Sequence, residues 1–209
     1  MFVMTVDQRR SRRDVDRVED LISSMVGART LRPFERTAGD EVQAVVDGTP
    51  DGAATVVDVA LALAREGSWS IGIGIGAVEE PLPASTRAGR GPAFEAARDA
   101  VTRAKNAPAS VAVTAADPTL VDRSSDAETA LVLVALLITD RTEQGHQASD
   151  LMRDGHTQTS AAQVLGVSKQ AMSQRLSVAR WSIESSGRTL AAHLLADVEH
   201  SRTRKQGTR

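Results

Sequence analysis

Apolar residues fall into two rhythms along the chain. Residues 2–6 crowd Phe, Val and Met into a short run that stops at Asp7, which predicts a buried strand. The polar loop Gln8-Arg9-Arg10-Ser11-Arg12-Arg13 follows, and Val15, Val18, Leu21, Ile22 and Met25 then recur at helical spacing as far as the stop signal Gly27. Residues 31–37 and 42–46 read as strands joined by Ala38-Gly39-Asp40-Glu41, a tight-turn composition. Gly48, Pro50 and Gly52 mark a loop before an Ala- and Val-rich helix over 53–65, stopped by Gly67. A fourth strand at 69–78 sets Ile71, Ile73 and Ile75 on one face and Gly72, Gly74 and Gly76 on the other. The glycine face implies close approach of a ligand or of a packed helix. After a Pro- and Gly-rich loop at 81–91, a helix is expected over 92–105 with Pro92 in its first turn. A strand at 110–114 and a connector at 117–126 come next, and everything from Ala127 onward reads as helix.

The order β-α-β-β-α-β is that of a ferredoxin-like domain. The expected class is α+β, with a ferredoxin-like domain at residues 1–126 and an all-α domain at 127–209. A length of 209 residues accommodates two domains.

Composition narrows the function. The chain is 41% hydrophobic and 25% charged, as folded proteins are. Its only aromatic residues are three Phe and two Trp, too few for base-stacking recognition of single strands. The absence of cysteine removes disulfides, thiolate catalysis and Cys-ligated metals. No apolar run approaches the ~20 residues of a membrane span, and arginines follow the first apolar run rather than precede it, so a soluble cytoplasmic protein is expected. Net charge is −2, but from Leu151 onward there are 9 Lys/Arg against 4 Asp/Glu, while the preceding residues hold 16 against 23. A polyanionic partner therefore suits only the rear of the chain, although the terminal basic tail supplies much of that excess.

The rear also holds the most specific pattern. Residues 157–165 read as a short helix with Ala161, Ala162 and Leu165 facing inward, Gly166 makes a turn, and Ser168 suits an N-cap. The next helix places Met172 and Leu176 one turn apart on a buried face. This layout resembles the helix-turn-helix of bacterial regulators, including the fourth region of sigma factors, and spans residues 157–180. It leaves Ser168, Lys169, Gln170, Ser173 and Gln174 on the part of the second helix that enters the major groove, with Arg175 and Arg180 as further phosphate contacts. The alternative is a helical hairpin that merely packs. Ile183, Leu190, Leu194 and Val198 continue a helical stripe, expected to pack within its own domain or against a second copy. The four histidines show no metal-ligand spacing.

In a ferredoxin-like sheet the first and third strands are central and antiparallel, which sets the end of the first beside the start of the third. Asp7 and Asp40 stand at those places. Two carboxylates beside an arginine-rich loop suit Mg²⁺ with a polyphosphate, and the loop leads into a helix N-terminus that favours anions. Equally, Asp40 serves the turn alone, Asp7 caps the helix, and the arginines are solvated.

Asp7 closing an apolar strand, Thr37-Ala38-Gly39-Asp40 in a hairpin, and Gly72-Ile73-Gly74-Ile75-Gly76 followed by Gly91-Pro92-Ala93-Phe94 resemble the class III nucleotide cyclase core. Asp7…Ser11-Arg12, Gly39-Asp40-Glu41-Val42-Gln43, the alternating glycine run and Gly91-Pro92-Ala93-Phe94…Ala97-Arg98, ending in a helix-turn-helix, are similar to the SatD family of bacterial proteins over most of the chain. The resemblance implies that Asp7 and Asp40 are metal ligands, that Arg36 takes the place of a base-contacting lysine, and that Arg9, Ser11, Arg12, Arg36 and Asp40 contact a nucleotide bound with Mg²⁺. It departs where cyclases use Asn and Arg to stabilise charge on the reacting phosphate: Glu95 and Asp99 stand there, with Arg98 one residue out of register. Two acids at that place oppose cyclisation.

The expectation is a DNA-binding transcriptional regulator, a homodimer on double-stranded DNA, whose degenerate cyclase-like domain senses a nucleotide. The alternatives are an active metal-dependent cyclase or phosphotransferase tethered to DNA, and a front domain that only dimerises.

Overall fold

A computed structural model describes residues 1–11 and 13–206, except for the side chains of residues 205 and 206. Arg12 therefore lies outside the described residues. The strands are β1 (Phe2–Gln8), β2 (Arg32–Ala38), β3 (Glu41–Val46), β4 (Trp69–Ile75) and β5 (Val111–Ala115). They form one mixed sheet in the order β2-β3-β1-β4-β5, antiparallel except for the parallel β4–β5 pair. The protein is thus α+β.

Alternation along β1 assigns the two faces of the sheet. Phe2, Met4 and Val6 lie opposite Val46, Ala44 and Val42 on β3 and opposite Ile75, Ile73 and Ile71 on β4, and all are buried in the main core. Helices α2 (Pro50–Glu66), α4 (Val121–Thr139) and α8 (Trp181–Gln206) supply the rest of that core, through residues such as Leu61, Leu131 and Leu195. The opposite face carries Val3, Thr5 and Asp7 and is covered by α3 (Pro92–Ala104).

Of the two explanations for the glycine face of β4, helix packing is the one observed. A Cβ at Gly72 would lie 2.2 Å from the Val101 nitrogen, and one at Gly74 would lie 2.2 Å from the Ala93 carbonyl oxygen. These glycines let α3 rest on the backbone of the sheet.

Other elements differ from expectation for local reasons. Helix α1 (Val18–Ser24) starts later than the Val15 spacing predicts, and Val15 is exposed. The buried Gln8 amide donates to the Val15 carbonyl at 2.7 Å and accepts from the Arg17 N–H at 2.9 Å, holding this stretch as a loop. Helix α2 begins earlier, at Pro50, because the Thr49 hydroxyl caps it by accepting from the Gly52 N–H at 3.1 Å. Strand β4 stops at Ile75, and half of the expected connector at 117–126 belongs to α4.

The expected boundary at 126/127 falls inside α4, and both α4 and α8 pack into the core of the sheet. What has its own small core is the trio α5 (Glu143–Arg153), α6 (Gln158–Val164) and α7 (Lys169–Val178), built on Ala148, Ala161, Ala162, Met172 and Leu176. The α8 stripe is also rotated from expectation. Val198 is buried with Ala191 and Leu195, whereas Ile183 and Leu190 are exposed and Leu194 is half-buried. Gly187 fits against Val134 of α4 on the buried side.

Candidate functional site

Helices α6 and α7 are joined by four residues whose chemistry stops one helix and starts the next. Gly166 takes φ +64°, a left-handed conformation that glycine adopts without steric cost. The Gly166 N–H donates to the Gln163 carbonyl at 3.2 Å and the Val167 N–H to the Ala162 carbonyl at 3.0 Å, which satisfies the end of α6 by the double-bonded glycine stop. The Ser168 hydroxyl then accepts from the Ala171 N–H at 3.1 Å, capping α7, as Thr157 caps α6 through Ser160. Below the turn Ala161, Ala162, Met172 and Leu176 are buried together. Above it Ser168, Lys169, Gln170, Ser173 and Gln174 are exposed.

The two expected phosphate contacts stand apart from this patch. Arg175 is half-buried and lines a 260 Å³ cleft with Thr142 and Gln174, where α7 meets the start of α5. Arg180 is exposed beyond the C-terminus of α7, with φ +55°. At 1.5 Å per residue the ten residues of α7 that separate it from Ser168 span roughly 15 Å.

At the sheet end, the register places Glu41 directly across from Asp7, and Asp40 adjoins through its carbonyl, which accepts the Gln8 N–H at 3.2 Å. The Asp7 carboxylate is only 17% exposed and pairs with Lys105 Nζ at 2.9 Å. Glu41 accepts from the Thr37 hydroxyl at 2.7 Å. The arginines diverge: Arg9 reaches the Gly67 carbonyl at 3.3 Å, while Arg36 reaches the Gly39 carbonyl at 2.9 Å and Asp16 at 2.8 Å. Ser11 is half-buried in the loop. Among the described residues no group of three or more His, Asp or Glu side chains converges as metal ligands. Asp7 and Asp40 would hold a Mg²⁺ ion here only with Lys105 displaced from Asp7. Lys105, which helps define the chemistry of this end, carries no local sequence signal: it arrives 98 residues after its partner.

A third cluster joins the helical trio to the core. Glu184 on α8 is fully buried and accepts from Arg141 at 2.6 Å, Arg153 at 2.8 Å and Arg188 at 2.8 Å. Burial pushes its carboxyl up, but the hydrogen bonds from Arg141 and Arg188 outweigh this and hold it below the ordinary glutamate value. Arg65 of α2 grips Asp150 of α5 with contacts of 2.7 and 2.9 Å. None of these groups stands out in the sequence, because their partners lie up to 85 residues apart.

Comparison of the chain with protein families, curated proteins and solved structures finds no match.

Proposed function

We propose that this protein is a DNA-binding transcriptional regulator in which α6 and α7 form a helix-turn-helix and α7 is the recognition helix. The observation that supports this most directly is the capped pair itself: a buried Ala162–Met172–Leu176 seam beneath a glycine stop, with polar Lys169, Gln170, Ser173 and Gln174 exposed at the start of α7. Lys and Gln are suited to base edges in the major groove. Arg180, one helix length away, flanks them as a backbone contact. The sheet order and the β-α-β-β-α-β sequence favour a ferredoxin-like, cyclase-like body of the SatD kind as the carrier. We read that body as non-catalytic, because Glu95 and Asp99 stand where cyclases stabilise charge on the reacting phosphate.

Fluorescence anisotropy against a library of duplex fragments tests the reading. Saturable binding to a preferred duplex that Lys169→Ala or Gln170→Ala selectively weakens is expected. Losses equal on preferred and random DNA would contradict the assigned roles. Incubation with ATP or GTP and Mg²⁺ should give no turnover; turnover that Asp7→Asn abolishes would establish the tethered enzyme instead.

A further inference from the structure

A cleft of about 670 Å³ opens between α2, the corner linking α4 to α5, and the start of α8. Its size is that of a site for a small organic molecule. Its walls come from both the core and the helical trio: Arg65 of α2, Arg141 of the corner, Arg153 of α5 and Arg188 of α8 all line it.

Those four guanidiniums are packed together against Asp150, Asp58 and Glu184, with the charge of Glu143 also acting on Arg65. Asp150 serves Arg65 and Arg153, Asp58 serves Arg188 at 2.8 Å, and Glu184 is divided among Arg141, Arg153 and Arg188. The Arg141 side chain is only 1% exposed and is held by Glu184 and the Ala179 carbonyl, so the more exposed Arg65, Arg153 and Arg188 face the open cleft. A polar group on the wall is short of a partner: His146 Nδ1 is buried and makes no hydrogen bond among the described residues. Leu61, Ala62, Ile138 and Trp181 give the wall an apolar part beside Ser185, and the Trp181 ring already carries the Arg153 guanidinium 5.7 Å from its centroid.

We propose that this cleft is a binding site for a small organic oxyanion, a carboxylate or phosphate borne on a planar ring. The oxyanion sits among the guanidiniums, whose planar N–H pairs match carboxylate and phosphate oxygens. The ring lies against Leu61, Ala62, Ile138 and Trp181, and His146 Nδ1 supplies a further hydrogen bond. Such a ligand touches α2 and α8 on one side and α5 on the other, so occupancy fixes the helical trio on the core. The site stands apart from the acidic sheet end and from α7, and its existence does not depend on DNA binding.

Trp181 is a built-in reporter, since the second tryptophan, Trp69, is buried in the core of the sheet. Titrating the full chain with benzoate and with phenyl phosphate, with phenol as the uncharged control, should change the fluorescence of Trp181 saturably with one or both anions and not with phenol. A response to benzoate alone identifies a carboxylate ligand, and one to phenyl phosphate alone a phosphate ligand. Arg65→Gln should weaken binding at least tenfold. Ala62→Phe, at an exposed helix position, should abolish the response by filling the cleft while thermal unfolding still shows a folded protein. No saturable response to either anion, or wild-type binding by both variants, would overturn the proposal.

Discussion

Glu184 shows how much one side chain can hold. Three arginines from three places in the chain converge on it, and its truncation would leave Arg141 buried without a counter-ion. Breaking a buried pair in this way costs about 3–5 kcal/mol. Glu184→Ala should therefore lower the urea midpoint strongly, whereas removing the exposed pair between Arg29 and Asp51 should change it little. Comparable losses from both variants would deny the cluster its role. His146 sets a pH dependence beside it. Burial, then the charges of Arg65 and Arg141, hold its imidazole below the ordinary histidine value. As pH falls, the unfolded chain takes up the proton first, at about pH 6.5. Stability contributed by the neutral ring is therefore complete above that value and is lost as pH drops through the lowered folded value. Denaturation of His146→Gln at pH values on either side of this window should show a flatter decline than wild type; an unchanged slope would contradict it.

At the scale of elements, caps and close contacts decide what forms. Ser168→Ala removes the cap of α7 and should cost about 1 kcal/mol, while Met172→Ala in the seam below should cost about 2–5 kcal/mol. Both are read from unfolding midpoints, and a neutral Met172→Ala would mean that the trio has no core of its own. Sequence periodicity carried much of this architecture. The five strands, the hairpin around Gly39-Asp40 and the α6–α7 pair all rest on local signals: alternation, turn residues, a glycine stop and a hydroxyl cap. What periodicity missed depends on distant partners. Gln8 holds Val15 out of α1 from seven residues away, and the glycine face of β4 is filled by α3, a segment some twenty residues further along the chain. On α8 Ile183 and Leu190 share helical spacing with Val198, yet the face that meets Val134 is the one bearing the small Gly187, which leaves Ile183 and Leu190 exposed. At the sheet end the positions of Asp7 and Asp40 were legible, but the ammonium that neutralises Asp7 was not.

Across the whole molecule, the chain is organised as a sheet-based body with a helical trio set into it, not as two domains meeting at residue 126. Helices α4 and α8 belong to the body; Glu184 of α8 reaches the trio through Arg153 of α5, and Arg141, just beyond α4, joins the same cluster. Exposed Leu133, Ile183 and Leu190 leave apolar surface on these same two helices. A single recognition helix commonly works as one of two on spaced half-sites, and these exposed side chains are where a contact between copies can be tested. Leu190→Glu should then shift the protein toward monomer in analytical ultracentrifugation and weaken DNA binding without altering α7; a dimer unaffected by that change would move the contact elsewhere. The central claim, that α7 engages duplex DNA, is tested most directly by the salt dependence of binding for wild type and Arg180→Ala. Affinity for the preferred duplex should fall linearly on logarithmic axes as salt rises, and Arg180→Ala should reduce that slope by about one phosphate contact. A protein that binds no duplex even at low ionic strength would contradict the account.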